Sequence, residues 1–500
     1  LSSLGIHILK SSASTYKVLW EVVCDMSVAP TPQPIANPDV VDWEGPDDPM
    51  NPMNWSLRKK VAITITVALL TILTPLGSSI VAPAASQIVE EFQQPQNEEL
   101  SAFVVSIYLL GYAFGPMFLA PLSELYGRTI IYHVCNVLYL LLTIACALAP
   151  NLPAFMVFRL LAGTAGSAPL SIGAGSLADI IPPKNRGLAM GAWVLGPVLG
   201  PVIAPIAGGY LVESKGWRWT FWVLAMLTAA FSILAMLCLR ESHPYTLLRK
   251  KTKALQRQTG NQNFRSALEA GQPTSSLFMF SILRPTKMLF LSPTVSLLAL
   301  YIAVIYGYLY LLFTTFPTVF LNVYHFSSGD VGLTYLGIGV GSIVGMVFQS
   351  LTSDQIFQWL KDRYGSSKPE YRLPLLFLSC WMIPVSLFWY GWTANRDIHW
   401  ISPIIATSLM GFGMVIAFTT VSTYLVDAYT EYAASAIAAT TVLRSVIGAV
   451  LPLAGGPMYK TLGLGWGNSV LAFIALAMCP LPFLFYRFGE QIRKKTFVTL

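Results

Sequence analysis

The stretch Gly196-Pro197-Val198-Leu199-Gly200-Pro201-Val202-Ile203-Ala204-Pro205-Ile206-Ala207-Gly208-Gly209 sets the architecture of this chain. Gly196, Gly200, Ala204 and Gly208 recur every four residues, so in a helix they form one smooth face that a second backbone can approach closely. Pro197, Pro201 and Pro205 share that period. Each removes a ladder hydrogen bond and bends a helix, which a membrane interior tolerates when neighbours satisfy the freed carbonyls. No charge interrupts residues 187–211, and about 20 apolar residues suffice to cross a bilayer. Three Gly-Pro or Ala-Pro pairs in one span mark a moving helix, and Gly196, Pro197, Gly200, Pro201 and Pro205 are its candidate gating residues.

The end of this stretch returns 247 residues later, where Ile203-Ala204-Pro205-Ile206-Ala207-Gly208-Gly209 is matched by Val450-Leu451-Pro452-Leu453-Ala454-Gly455-Gly456. Leu177-Ala178-Asp179 is echoed by Leu425-Val426-Asp427 at an offset of 248, and Glu124-Leu125-Tyr126-Gly127 by Asp362-Arg363-Tyr364-Gly365 at 238. Their shared order indicates a duplication with parallel repeats and a substrate site between the halves near the midplane.

Composition agrees. Hydrophobic residues make up 54% of the 500 and charged residues 11%, where a soluble protein carries about 25% charged. Both a soluble fold and disorder are excluded. Twelve apolar stretches qualify as spans: roughly 61–84, 101–122, 130–149, 152–174, 187–211, 219–239, 293–320, 330–350, 374–394, 400–424, 434–457 and 467–487. The net charge of +7 reports orientation rather than nucleic-acid binding. With the amino end inside, 23 basic residues beyond residue 56 fall on the cytosolic side and 4 outside, which places both termini in the cytosol. The expected organisation is a disordered cytosolic tail over 1–56, a six-helix bundle over 57–239, a basic cytosolic loop over 240–292, a second bundle over 293–487 and a tail over 488–500. Met26 is the expected true start. The sequon Asn54-Trp55-Ser56 lies on the cytosolic side and is expected to be unused. The six cysteines show no metal or disulfide spacing and are read as free thiols.

Three further groups stand out. In the loop after the second span, Glu124 can face a helix amino terminus and Arg128 can pair with an acid such as Asp179, forming a cytosolic latch with Gly127 at its turn and Asp427 as the counterpart in the second half. Arg159 lies inside the fourth span and Arg444 near the middle of the eleventh, so both must face the protein interior. Arg444 is either a core arginine pinned by carbonyls or a group for substrate binding or proton coupling. Tyr306, Tyr310 and Phe313 share a face of the seventh span, and Tyr108 and Tyr112 a face of the second. They line a candidate cavity for flat or amphipathic molecules, or else face lipid and core. Past the terminal residues of the spans there is no Asp or Glu, so these residues name no proton carrier.

The segment Ala120-Pro121-Leu122-Ser123-Glu124-Leu125-Tyr126-Gly127-Arg128 resembles the loop 2–3 signature of the major facilitator superfamily, Gly-x-Leu-Ala-Asp-Arg-x-Gly-Arg. Its departures at Ala120, Glu124 and Leu125 stand out, beside Ser123 for Ala, and Leu125 leaves the family's charge network one Arg short. Arg159-x-x-x-Gly163-x-x-Gly166 resembles the span 4 signature of drug:proton antiporters. Asn51-Pro52-Met53-Asn54-Trp55-Ser56, Trp217-Arg218-Trp219-Thr220-Phe221, Pro369-Glu370-Tyr371-Arg372-Leu373-Pro374 and Glu431-Tyr432-Ala433-Ala434-Ser435-Ala436 extend the resemblance to the fungal 12-span antiporters across residues 50–495. The resemblance implies an all-α membrane fold, export of a small-molecule substrate, proton coupling and a plasma-membrane rather than vacuolar home. A monomer in the lipid bilayer is the expected functional unit, with no cofactor. A nutrient or sugar importer on the same fold and a non-transporting receptor are the alternatives. Gly173-Ala174-Gly175-Ser176-Leu177-Ala178 fits a relaxed dinucleotide fingerprint, but it sits in a membrane helix with no preceding strand. With no HExxH, Walker loop or nucleophile elbow, an enzyme is not expected and ATP is not the drive.

Overall fold

The computed structural model describes residues 39–93, 97–182, 186–268, 274–366, 368–394, 398–429 and 432–495. The first half is built from α1 Leu57–Ser79, α2 Ala85–Glu91, α3 Glu98–Tyr126, α4 Arg128–Ala147, α5 Leu152–Gly166, α6 Ala168–Ile180, α7 Arg186–Lys215 and α8 Arg218–Cys238. Helices α9 Pro244–Thr259 and α10 Thr274–Leu291 follow. The second half comprises α11 Pro293–Asn322, α12 Ser328–Thr334, α13 Leu336–Tyr364, α14 Pro374–Ala394, α15 Ile401–Ala428, α16 Ala433–Val450, α17 Gly455–Met478 and α18 Pro480–Lys495.

Eleven helical stretches among the described residues are long and apolar enough to cross a membrane. The last runs over Ala433–Arg493, 61 residues, enough for more than two crossings of about 20 residues each. Inside it the chain turns at Gly463, whose φ of 71° only glycine adopts without strain. Two other expected spans differ in detail. The fourth is broken at Ser167, with Pro169 opening α6. The eighth runs on to Tyr364, past the apolar stretch that ends near 350. The expected tail over 488–500 is helical as far as Lys495, as the continuation of α18.

The bundle is inverted relative to a soluble protein. On α4, Val134, Val137, Leu138 and Leu141 are exposed while Tyr132, Asn136, Tyr139 and Thr143 are buried, because hydrocarbon outside rewards apolar side chains and the interior must supply every hydrogen bond. Buried hydroxyls bond the carbonyl one turn back, as in Thr71 to Val67 O (2.7 Å), Thr143 to Tyr139 O (2.7 Å) and Thr228 to Leu224 O (2.7 Å). The halves repeat one packing device. Gly111 and Gly163 bring α3 and α5 into backbone contact, since an added Cβ would lie 2.3 Å from Leu160 O or 2.2 Å from Tyr108 O. Gly337, Gly341 and Gly411 do the same for α13 and α15.

A smaller unit is described by itself. Val40–Val41 and Arg265–Ser266 form a two-stranded parallel sheet, and Lys251 Nζ lies 3.1 Å from Glu44 Oε1 and donates to Asp42 O at 3.1 Å. The tail over 1–56 is therefore not structureless throughout: residues 39–56 carry this pairing and a 3-10 turn at Pro52–Asn54. The expected start at Met26 lies outside the described residues. The Asn54 amide donates to Pro46 O (2.6 Å) and Asp48 O (3.0 Å).

Candidate functional site

At the end of the bundle where α3 gives way to α4, Gly127 takes a φ of 103°, a conformation that favours glycine. It also leaves room for a carboxylate, as an added Cβ would sit 2.3 Å from Glu241 Oε2. Glu241 accepts from the backbone N–H groups of Arg128 (2.9 Å) and Thr129 (3.3 Å), so it occupies the helix amino terminus expected for Glu124. The reason is reach: Glu124 belongs to the last turn of α3 itself, whereas Glu241 arrives from beyond α8. Arg128 Nε meets Asp179 Oδ2 at 3.2 Å, and its Nη1 donates to Ser123 Oγ at 2.9 Å. Nearby, burial and then the Arg128 charge push the His243 imidazole down to about 4, so it is uncharged at neutral pH.

The second half mirrors this arrangement. Arg372 Nε meets Asp427 Oδ2 at 3.1 Å and its Nη1 meets Asp354 Oδ1 at 2.5 Å, while Lys368 pairs with Glu490 at 2.7 Å. Arg372, Glu241 and Glu490 were not singled out from the sequence, although Arg372 follows Arg128 by 244 residues and Glu490 follows Glu241 by 249. Arg128→Leu is expected to leave Asp179 unpaired, cost about 3 kcal/mol and slow transport about tenfold. In a double-mutant cycle Asp179→Asn should then add little, and full additivity would rule out the coupling.

The smooth face of α7 lies on α1. An added Cβ at Gly196 would be 3.1 Å from Ile72 N, at Gly200 2.4 Å from Pro75 Cγ and at Gly208 2.2 Å from Ile80 O. The opposite side meets the second half. Glycines on both sides make room: a Cβ at Gly332 would lie 2.6 Å from Pro205 O, one at Gly339 2.4 Å from Val202 Cγ1, and one at Gly209 of α7 2.5 Å from Ser328 O. Helix α7 remains continuous through Pro197, Pro201 and Pro205 and stands between α1 and the α12–α13 pair. At its far end Glu213 accepts from Gly329 N (2.8 Å) and Ser327 Oγ (3.2 Å). Lys460 lies 3.4 Å from Glu98 at that same end. A recess of about 240 Å³ opens there, with Ser86, Ser101, Thr314, Asn322 and Lys460 in its wall. None of the five candidate aromatics lines it.

Those aromatics are interior. Tyr108 and Tyr112 have ring centroids 5.6 Å apart, Tyr306 and Tyr310 5.1 Å, and Tyr310 and Phe313 5.5 Å. The halves are joined at Ser78 Oγ and Tyr310 OH, 2.9 Å apart, a contact that no local pattern announces. The two arginines differ sharply. Arg159 is 1% exposed and donates to Gly77 O (2.5 Å), Ser78 O (3.2 Å), Val104 O (3.4 Å) and Val105 O (3.3 Å). Arg444 stacks on Tyr306 and Phe418, with Cζ 5.1 and 4.8 Å from the ring centroids.

Residues 67–452 match the family profile described as Major Facilitator Superfamily. The chain belongs to this superfamily. It is a multi-pass membrane transporter and not an enzyme. It is 57% identical to the "MFS-type transporter penM" of Penicillium rubens over 94% of this chain and 92% of that one. It is 50% identical to the "MFS transporter cpaT" of Aspergillus oryzae, with 91% of each covered, and 48% identical to the "Efflux pump radE" of Floropilus chiversii, with 91% and 85% covered. A solved member of the superfamily fold, the xylose transporter XylE from E. coli in a partially occluded inward-open conformation, superposes with a TM-score of 0.63 at 15% identity, over 86% of this chain and 98% of that one.

Proposed function

We propose that this protein is an efflux transporter of twelve spans with both termini in the cytosol, resident in the plasma membrane and working as a monomer. Its substrates are hydrophobic or amphipathic small organic molecules, exchanged for protons. The twelfth span comes from reading Ala433–Arg493 as two crossings that turn at Gly463. The basic residues of the loops support the orientation.

One observation carries the reading: the interior shared by the two halves is aromatic and hydroxylic. Tyr108, Tyr112, Tyr306, Tyr310 and Phe313 cluster around the Ser78–Tyr310 link, and such rings offer large flat contact areas with hydroxyl handles. Helix α7, wedged between α1 and α12–α13, is suited to move one half against the other. The name of the Floropilus relative, an efflux pump, supports the direction. In a drug-sensitive yeast, the protein is expected to lower accumulation of at least one hydrophobic toxicant severalfold. A broad panel showing only increased uptake would favour the importer instead.

A further inference from the structure

The two buried arginines share a residue type but not a solution to burial. Each nitrogen of Arg159 that reaches a carbonyl is fixed by α1 or α3, and its side chain is sealed. Arg444 makes no hydrogen bond and no ion pair among the described residues, and its Nε is buried without a partner. It keeps 8% of its surface accessible, against 1% for Arg159. The faces of Tyr306 and Phe418 flank its guanidinium.

A guanidinium cannot escape the cost of burial by losing its proton, since it stays charged at any working pH. Cation–π contacts offset part of the cost. They leave the in-plane N–H donors unsatisfied, because a ring stacked on the face of a guanidinium does not accept from its edge. What fits that edge is a planar oxyanion bound through two parallel hydrogen bonds. Phe418 is 38% exposed, so the stack is not sealed as Arg159 is. Gly448, one turn beyond Arg444, leaves space for the Tyr306 ring, which a Cβ would approach to 2.9 Å.

We infer that Arg444, between Tyr306 and Phe418, is the anion-recognition point of the transport site, and that the substrates are hydrophobic organic monoanions such as aromatic carboxylates. This rests on the transporter reading above and narrows it, because neutral and cationic amphiphiles would leave the guanidinium unpaired. It also separates the roles of the two arginines: Arg159 holds the fold, and Arg444 holds the ligand.

The test is binding to the purified full-length protein, with naphthoate compared against naphthamide and biphenyl carboxylate against biphenyl carboxamide. At about ten times Kd, at least one carboxylate is expected to raise the melting midpoint by about 2–3 °C, with its carboxamide inert. Arg444→Gln should weaken that binding at least about tenfold, equivalent to 1.4 kcal/mol, and Arg444→Lys should lie between. Phe418→Glu keeps the arginine but places a carboxylate beside it, and should also abolish the preference. That variant decides the matter if Arg444→Gln fails to fold. Equal binding of acid and amide by wild type, no acid bound above its amide, or an undiminished preference in Phe418→Glu would each overturn the inference. Cells that export neutral compounds alone would do so too while leaving export intact. Selective binding of the acids by a protein that raises cellular accumulation would instead overturn export and keep the anion site.

Discussion

Cells producing the Arg159→Leu chain are expected to carry less than about a tenth of the wild-type amount at the membrane. The substitution removes the donors that reach Gly77, Ser78, Val104 and Val105. Val104 and Val105 keep their helix-ladder donors, but Gly77 and Ser78 lie in the last turn of α1, where no intrahelical N–H reaches their carbonyls. An acceptor left unsatisfied in the interior costs about 1–3 kcal/mol, so the two together consume much of a stability at the low end of about 5–15 kcal/mol. Arg159→Lys should rescue little, because one ammonium cannot span carbonyls on two helices. Fluorescence of a tagged chain and its elution as a single species measure the effect. Wild-type amounts of a well-behaved Arg159→Leu protein would show that the carbonyl network is dispensable.

Gly200→Val should give the opposite pattern: at least half the normal amount at the membrane and less than about a tenth of the transport. The added Cβ would fall 2.4 Å from Pro75 Cγ and 2.8 Å from Pro75 Cβ, and a proline ring cannot swing aside. Overpacking of this kind costs about 1–3 kcal/mol, which a polytopic bundle survives, but it separates α7 from α1 along the face on which they must slide. Ile203, 47% exposed on the same helix, supplies the control: Ile203→Leu should transport normally. Normal transport per surface molecule by Gly200→Val would end the gating role of this face.

The contrast between these variants shows what a sequence discloses. Four-residue periodicity of small side chains says that α7 has a close neighbour, but the identity of that neighbour, α1, is a tertiary fact. Spans were legible because hydrocarbon imposes a length and a composition. Their interruptions at Ser167 and Gly463 were less so, because polar satisfaction of a broken helix depends on neighbouring helices. Arg128 and Asp179 could be paired from their places at neighbouring helix ends. Glu241, 113 residues from Arg128, carries no local mark of its role, and Glu124 looked the better cap only because it is near in sequence. Arg372 is masked by the local echo at Asp362–Gly365, whose offset of 238 sets Arg128 opposite Ser366, six residues short of Arg372. The stacking of Tyr306, Tyr310 and Phe313 followed from their spacing on one helix. That the spans offer Arg444 no acid was legible in their composition; that Tyr306 and Phe418 flank it instead was not, because they come from two other helices.

The positive charge of Arg444, inside spans that hold no carboxylate past their end residues, has an electrical consequence. An elementary charge carried through the whole transmembrane field is worth about 2.3 kcal/mol per 100 mV, so voltage acts directly on an empty carrier whenever its rearrangement shifts that field across the guanidinium. A negative cell interior then favours the arrangement in which Arg444 is in contact with the cytosolic side, ready to load. A bound monoanion cancels the charge and with it the electrical bias, leaving the loaded carrier freer to turn outward. The resting potential thus becomes a return spring that acts on the empty form and releases the full one.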